Sequence, residues 1–187
     1  MGVKIEEIKD LMERMEQINL PPKDIIEFEV PDFVTTIGPS AFKSCEMLER
    51  IVLHDSIRSI AKDAFEYCSA LKTFELPNSI GIINLSLLYC TSLSSITIPD
   101  TVTYIGQGAF AETAIKTITI PASVTKIGYL AFDCCYELTN IIIDEENQYF
   151  VTDNGHIYSK DKTKLIRYDI TKEDTEFVIP DSVTTIA

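Results

Sequence analysis

Residues 98–120 read IPDTVTYIGQGAFAETAIKTITI, and the pattern of this stretch returns along almost the whole chain of 187 residues. When each unit is counted from its proline, five units follow one another at steps of 22 or 23 residues. The first residues of these units are Pro31, His54, Pro77, Pro99 and Pro121. A period in this range indicates a solenoid, in which each unit packs only against its neighbours.

Every unit carries the same apolar columns. The final residues follow the pattern L-x-x-I-x-I, as in Leu93, Ile96 and Ile98, and their last three positions alternate as in a half-buried strand. A β-branched pair three residues apart, such as Val102 and Ile105, predicts a second short strand in each unit. Eleven residues after each start lies a further column, at Phe42, Phe65, Leu88, Phe110 and Phe132. Because no unit can enclose its own apolar face, we expect the units to stack and bury one continuous core.

The strand pattern occurs seven times in the chain. It appears before the first full unit at Ile25, Phe28 and Val30, and again after the last full unit at residues 177–179. Seven strands at the usual spacing would form a parallel sheet about 29 Å long. The polar segment that precedes the strand of each unit, such as residues 43–47, indicates a turn or an irregular loop rather than a long helix.

Taken together, the units read LxxIxIPxSVxxIGxxAFxxC, which resembles the BspA-type leucine-rich repeats over residues 25–187. The resemblance implies an α/β repeat solenoid of leucine-rich-repeat type, with short parallel strands stacked into a curved sheet on one face. It also implies binding or adhesion without catalysis, as in surface adhesins of host-associated microbes. A protein of this kind is expected at the cell surface or in the secreted fraction.

The first residues have a different pattern from the repeats. Residues 3–18 carry apolar side chains at helical spacing with acidic side chains around them, and Pro21 and Pro22 end the segment. We interpret residues 1–22 as a capping helix and linker over the first repeat, because solenoids need capped ends. The alternative is a helix that binds a partner or forms a coiled coil, although two heptads are short for a coiled coil. The solenoid would then occupy residues 23–187.

The regular period breaks at residues 144–176. This insert contains two alternating runs, HIYS at 156–159 and KLIRY at 164–168, which predict a β-hairpin; an Asn-Gly pair just before them marks a turn. BspA-type repeats carry a similar element, so we expect an extended repeat rather than a separate catalytic domain. The last unit, which begins at Pro180, stops before its aromatic column, and such an incomplete repeat would leave a strand edge uncovered.

The charge balance excludes two classes of partner. The chain has a formal net charge of −13 and a pI near 4.5, whereas nucleic acids and anionic membranes are bound by basic surfaces. Cationic partners, or simple solubility, fit this charge better. The partner that we predict is a protein, for which a host extracellular protein is a candidate. No apolar run is long enough to insert into a membrane, and no signal-peptide core follows Met1. The protein would therefore be cytoplasmic if Met1 is the native start, in contrast to the location that the resemblance suggests.

Four of the five cysteines occupy one column of the repeat, at Cys45, Cys68, Cys90 and Cys135. We expect them to be small buried side chains rather than zinc ligands, because the chain lacks the C-x2-C spacing of zinc sites. Disulfide bonds along the column would require neighbouring thiols to face each other, which we do not expect. Cys134 lies outside the column, and we predict that it is the only reactive thiol.

Three further features of the sequence suggest chemistry, and each has a simpler explanation. Residues 106–111 match the dinucleotide-binding pattern G-x-G-x-x-A, but they share their columns with other units and lack the acidic residue expected about twenty positions later. A calcium loop beginning at Asp153 would lack its required glycine and glutamate. The two histidines, His54 and His156, are far apart in the chain, so we do not expect acid-base catalysis by histidine. We therefore predict no cofactor, no metal site and no enzyme.

What remains for function is the outward face of the predicted sheet, whose side chains are mostly short, polar or β-branched. The first row is Arg50, Thr73, Ser95, Thr117 and Asn140, and the second row is Val52, Glu75, Thr97, Thr119 and Ile142. Because repeat arrays commonly bind along this face, we predict a protein-interaction or adhesion module that uses these residues. The alternative is a structural module that joins repeats or subunits by self-association at its terminal strand edge.

Overall fold

The structure is a computed structural model, and it describes residues 25–84, 87–172 and 176–187. The capping helix and linker predicted for residues 1–22 lie outside these ranges. Fifteen strands occur in the described residues. In chain order they are β1 (Glu27–Glu29), β2 (Thr36–Ile37), β3 (Arg50–Val52), β4 (Ser59–Ile60), β5 (Thr73–Glu75), β6 (Ile82–Ile83), β7 (Ser95–Thr97), β8 (Tyr104–Ile105), β9 (Thr117–Ile120), β10 (Lys126–Ile127), β11 (Asn140–Ile143), β12 (Phe150–Asp153), β13 (His156–Ser159), β14 (Lys164–Arg167) and β15 (Thr185–Ile186).

The longer strands of the repeats are parallel, as predicted, but their pairing is divided into a four-stranded part and a two-stranded part. Strands β1, β3, β5 and β7 pair in this order, and β9 pairs with β11 in the same parallel sense. Just before these strands, one line of backbone hydrogen bonds continues from the segment before the first unit through all five units. It joins Ile26, Glu49, Lys72, Ser94, Lys116 and Thr139. The units therefore stack in register, and each contributes one strand.

The second short strand of each unit is confirmed, and it ends at the second residue of each predicted β-branched pair. Strand β2 pairs with β4, and β6, β8 and β10 form a three-stranded parallel sheet. Hydroxyl groups continue this stacking: Thr101 Oγ1 donates to the Ile80 carbonyl at 2.9 Å, and Ser123 Oγ donates to the Val102 carbonyl at 2.7 Å. These side chains satisfy backbone carbonyls that such short strands leave open, so many polar residues of the repeat are structural.

Aromatic rings run through the core of the stack. The Phe42 and Phe65 ring centroids lie 5.2 Å apart with the ring planes at 4°, and those of Phe110 and Phe132 lie 5.6 Å apart at 22°. Leucine, isoleucine and valine columns surround these rings and are buried, so one apolar core continues from unit to unit. Burial of each large apolar side chain contributes about 2 kcal/mol, which makes this core the main stabilising feature.

One column assignment in the third unit is wrong. Leu87, not Leu88, takes the place of the phenylalanine, because Leu87 is fully buried and its N–H donates to the Ala109 carbonyl. The Phe110 N–H makes the equivalent hydrogen bond to Ala131 in the next unit. This unit is one residue shorter than the two before it, and the missing residue must lie between its proline and the column. Counting from the proline therefore places the column at Leu88, one residue too late.

The predicted cysteine column is confirmed as a buried ladder. Cys45, Cys68, Cys90 and Cys135 are all 0% exposed, and all five cysteines are free thiols. The Cys90 Sγ donates to the Phe65 carbonyl of the preceding unit at 3.2 Å, and two other members of the ladder make the equivalent bond. Burial raises the pKa of all four thiols, to about 12 for Cys90. The ladder is therefore part of the core.

The insert contains one strand more than predicted. The expected hairpin is formed by β13 and β14, and β12 adds a third antiparallel strand beside β13. The turn between β12 and β13 is Asn154-Gly155, with φ values of 50° and 83°, as the type I′ turn of a tight hairpin requires. Strand β15 of the last unit pairs in parallel with β14 and resumes the stack.

Two features of the predicted architecture are wrong. Residues 177–179 do not form a seventh strand: they are irregular, and Val178 is 84% exposed. In place of the predicted strand, β12 of the insert contacts β11, the last strand of the sheet. The α/β class also fails for the described part of the chain, in which no helix occurs. Tight turns connect the strands instead, and the fold is a leucine-rich-repeat-like solenoid of parallel strands with about seven turns.

Candidate functional site

Two rows of side chains cover the outer face of the parallel sheet. In β5, Phe74 enters the core while Thr73 and Glu75 face the solvent, because successive residues of a strand alternate between its sides. The ten residues predicted from the sequence occupy these rows: Arg50, Thr73, Ser95, Thr117 and Asn140 in one, and Val52, Glu75, Thr97, Thr119 and Ile142 in the other. All are exposed except Val52, which is half-buried.

The strand register aligns the members of each row. Thr73 pairs with both Arg50 and Ser95, and Thr117 pairs with Asn140 in the second part of the sheet. Side chains at paired positions of neighbouring strands are close enough to form one continuous surface. The predicted placement is therefore confirmed, whereas the binding role of these residues remains a prediction.

Two glutamates at the first strand extend the rows and are missing from the predicted set. Glu27 pairs with Arg50, and Glu29 pairs with Val52. Both side chains are exposed. The signal needed to find them is present in the sequence, because a strand that buries Phe28 must turn the residues on either side of it outward.

The face is chemically different at its two ends. Near β1, β3 and β5 it presents three carboxylates and one guanidinium, from Glu27, Glu29, Glu75 and Arg50. From β7 onward it presents mainly hydroxyl, amide and aliphatic groups. A shallow depression of about 390 Å³ lies in this second part. Its polar lining residues are Thr97, Asp100, Thr117, Thr119 and Asp144.

The two histidines make structural hydrogen bonds, each with the backbone. His54 Nε2 contacts the Pro31 carbonyl of the preceding unit at 3.0 Å, where the other units have a proline. His156 Nδ1 accepts a hydrogen bond from the Asp169 N–H at 2.9 Å. Because this bond requires an unprotonated Nδ1, the neutral His156 ring carries its proton on Nε2. The ring-nitrogen hydrogen bonds of both histidines, over the residues that the structure describes, are made with backbone groups.

His156 belongs to a buried cluster in the insert that sequence reasoning misses. Its ring stacks on Tyr168 at 4.8 Å between centroids and meets Phe177 edge-on at 4.7 Å. Burial lowers the pKa of His156, partly offset by the carboxylate of Asp169. Arg167 Nη2 donates to a backbone carbonyl of the preceding unit. Only contacts between distant segments create this cluster, so no local pattern indicates it.

The acidic turn considered for calcium has a different role. Asp153 forms an ion pair with Lys162 at 2.6 Å across the insert, and this contact lowers the pKa of Asp153. In the part of the chain that the structure describes, no group of three or more His, Cys, Asp or Glu side chains is placed to hold a metal ion.

The repeat pattern also matches a known family. Residues 22–151 match the model described as "BspA type Leucine rich repeat region", with six copies. A comparison with curated proteins finds no match. Over the described ranges, no helix is both long and apolar enough to cross a membrane.

Three solved structures are similar to the chain. A leucine rich cell surface protein from Faecalibacterium prausnitzii A2-165 is 33% identical, with a TM-score of 0.73, over 86% of this chain and 44% of its own. A leucine-rich repeat protein from Bacteroides ovatus is also 33% identical, with a TM-score of 0.60, over 63% of this chain and 33% of its own. The pneumococcal vaccine antigen PcpA shares the fold at 24% identity and a TM-score of 0.69, over 88% of this chain and 52% of its own. The chain thus spans about half or less of the length of these proteins.

Proposed function

Because the chain belongs to the BspA-type leucine-rich repeat family, we propose that it is a non-catalytic module that binds another protein through the outer face of its sheet. Members of this family are repeat scaffolds that generally serve as protein-interaction or surface modules. None of the three similar structures is described as an enzyme. The partner, the contact residues and the adhesive role are the parts of this proposal that experiments must establish.

The observation that carries the proposal is the pair of aligned, exposed rows on the sheet. Short and β-branched side chains have few rotamers to lose when a partner covers them, so their burial costs little conformational entropy. The backbone beneath them is fixed by the strand pairing. Such a surface is pre-organised for binding, which favours affinity without a large rearrangement.

The charges of the face suggest the chemistry of the partner. Glu27, Glu29 and Glu75 lie at one end of the sheet, on a chain with a net charge of −13. Opposite charges increase the rate of encounter and exclude like-charged competitors. We therefore expect a partner with a basic surface opposite β1 to β5 and a polar surface opposite β7 to β11 that also complements the carboxylates of Asp100 and Asp144.

The similar protein from F. prausnitzii is described as a cell surface protein. By analogy, we propose that this module is displayed at the cell surface, where a host extracellular protein is a suitable candidate partner. Purified host extracellular matrix proteins, immobilised on a biosensor, provide the first test of this proposal. Saturable binding of the chain to at least one of them is the expected result.

The contact face is tested with the double variant Glu75→Lys and Thr97→Lys. These residues pair directly across β5 and β7, so two lysines there place bulk and positive charge at the centre of the face. We expect at least about a tenfold loss of affinity for the partner. The control is Glu46→Lys with Ser59→Lys, which makes the same change of charge at exposed positions away from the two rows. Equal affinities of the two variants would place the contact elsewhere on the molecule.

A second candidate function is assembly through the last strand, and one observation favours it. The β15 residue Ile186 is 63% exposed although it is apolar, and Val178 beside this unit is also exposed. Apolar side chains exposed on a strand favour packing against a further repeat or pairing with another chain. Sedimentation velocity over a range of concentrations tests this role. Self-association that Ile186→Lys abolishes would support assembly, whereas a monomer at all concentrations would exclude it.

A further inference from the structure

A row of side chains on the turns, away from the sheet, has an unusual backbone conformation. Two residues after the aromatic column, each of the five units places a non-glycine residue in the left-handed region, with φ between 52° and 64°. These residues are Ser44, Tyr67, Tyr89, Glu112 and Cys134. Glycine and asparagine adopt this conformation most readily, yet neither occurs in the row.

The presence of two tyrosines in this row requires an explanation. Bulky side chains are disfavoured at positive φ, and such positions concentrate at functional sites because the strain is tolerated for another benefit. The turn position two residues before the aromatic column shows which residue types this backbone conformation accepts. Gly108 takes φ 61° there, and serine, aspartate and leucine take similar values in the other described units. Scaffold geometry therefore does not select for tyrosine.

The tyrosines belong to a surface ridge, the aromatic ridge, which we define as Tyr67, Tyr89, Glu112 and Tyr136; Tyr67 and Tyr136 are exposed, whereas Tyr89 and Glu112 are half-buried. The Tyr67 and Tyr89 rings stack with their centroids 4.5 Å apart and their planes at 10°. Tyr136 lies at the other end of the ridge and is 70% exposed. These rings offer a large, rigid and accessible surface, of the type that is enriched at protein interfaces.

Two carboxylates, Glu112 and Asp133, act on the hydroxyl groups of Tyr89 and Tyr136. A hydrogen bond to Glu112 raises the pKa of the Tyr89 hydroxyl. Cys134 raises the pKa of the Tyr136 hydroxyl by a hydrogen bond, and Glu112 and Asp133 add to the rise through their charge. The potential around both hydroxyl groups is therefore negative. Glu112 lies between them and can pair with a cation that approaches the rings.

The chain itself shows that this environment accepts a cation. Lys43 Nζ lies 5.9 Å from the centroid of the Tyr67 ring. It also forms an ion pair with Glu66 of the same turn region. The Tyr67 ring thus already contacts a lysine of the same chain. Among the described residues, no lysine or arginine makes such a contact with Tyr136 at the other end of the aromatic ridge.

We propose that the aromatic ridge is a docking surface for a basic, arginine-containing segment of a partner protein, separate from the sheet face. A guanidinium group can stack on a tyrosine ring and pair with Glu112 at the same time, which a lysine does less well. The stacked tyrosines would bury the apolar parts of the same segment. The charge of the whole chain, −13, attracts such a segment, and the ridge gives it a defined position.

The test separates the aromatic ridge from general electrostatic attraction. Binding of a fluorescent peptide of alternating glycine and arginine is measured by anisotropy at physiological ionic strength, with wild type and with Tyr67→Gly/Tyr89→Gly. Both substitutions suit a positive φ, so we expect an intact fold, verified by circular dichroism and thermal unfolding. They do not alter the net charge. We expect the affinity to fall about tenfold.

Two controls determine whether a loss of affinity supports the proposal. Leu130→Gly changes another exposed residue with positive φ, outside the aromatic ridge, and is expected to leave the affinity unchanged. Thr97→Val/Thr119→Val changes the sheet face without a change of charge and is also expected to have no effect. If the tyrosine variant binds as tightly as wild type, or if the threonine variant alone is weakened, the ridge is not the docking surface. The second result would still be compatible with the function proposed for the sheet face.

Discussion

The regular repeats and the insert fill their interiors in different ways. In the described repeats the core consists of apolar columns, and Thr113 is an exception that bonds to the Phe110 carbonyl at 2.8 Å. The insert buries Asn147, His156 and Asp169 beside its own apolar side chains. The repeats are therefore stabilised by many similar contacts, whereas the insert depends on a few specific hydrogen bonds. The comparison suggests that the two regions respond differently to single substitutions.

Asn147 shows this dependence most clearly. Its Nδ2 donates to the carbonyls of Pro121 and Val124 in the preceding unit, at 2.8 and 3.0 Å. Its Oδ1 accepts from the N–H groups of Tyr149 and Phe150, at 2.8 and 2.9 Å. One fully buried side chain thus joins the last regular unit to the start of β12. No other described contact replaces these four bonds.

The largest effect is expected for Asn147→Ala. The substitution leaves three buried backbone groups and one partly buried group without their partner, and we expect the free energy of unfolding to fall by about 4 kcal/mol. Urea-induced unfolding, followed by circular dichroism, measures this loss. Asn140→Ala, at an exposed position of β11, should change the value by less than about 0.5 kcal/mol. A small loss for both variants would show that the insert does not depend on its buried asparagine.

A smaller effect is expected for Phe65→Leu in the regular repeats. Leucine already occupies the same column in the next unit, at Leu87, so the stack accommodates this shape. We expect a loss of about 1 kcal/mol in the same urea experiment, since the substitution removes part of one ring and leaves an apolar contact. If it destabilised the protein as much as Asn147→Ala, the repeats would not be more tolerant than the insert.

The next effect depends on pH and concerns His156. Burial lowers the pKa of this ring below its ordinary value of 6.5, mainly by disfavouring the charged form, while Asp169 and Asp153 favour the charge and Lys172 and Arg167 oppose it. Below about pH 6.5 the unfolded chain then binds more protons than the folded chain, so stability is lost as the pH falls and is fully present above that pH. Protonation of Nδ1 also breaks its bond with the Asp169 N–H.

Thermal unfolding between pH 8 and pH 5 tests this contribution. We expect the Tm of wild type to fall more steeply with acidification than that of His156→Gln, which cannot titrate at this position. His54→Gln serves as the matched control, because it removes the other histidine and leaves His156 in place, so it should keep the steeper slope. Identical slopes for wild type and His156→Gln would contradict the assignment.

The difference between the two regions also explains what the sequence could predict. Five units repeat the same columns, so the period alone is enough to place Arg50, Thr73 and Ser95 in one row. Counting fails where a unit is shortened: in the third unit it assigns Leu88 to the column that Leu87 occupies. A deletion shifts every later residue of its unit, and the period does not reveal its position.

The insert occurs once, so no second copy indicates which of its residues share a column. Strand β12 and the contact of His156 with Asp169 depend on pairing between distant segments, which local patterns do not encode. The aromatic ridge is an intermediate case. Counting aligns Tyr67 with Glu112 and Cys134, but the positive φ that makes this row unusual is a property of the folded turn.

The smallest effect on the fold is expected from chemical modification of Cys134. The same experiment tests whether the core of the repeats excludes a thiol reagent. Its side chain is partly exposed, whereas burial both shields the four ladder thiols and raises their pKa, which lowers the fraction of reactive thiolate. We expect a thiol reagent to modify one cysteine rapidly in the native protein and all five after denaturation in urea. The Cys134→Ser variant should lose the rapid reaction and keep the wild-type Tm. Rapid modification of a ladder thiol would show that the repeats open locally. Their apolar columns would then be more accessible to solvent than the buried polar groups of the insert.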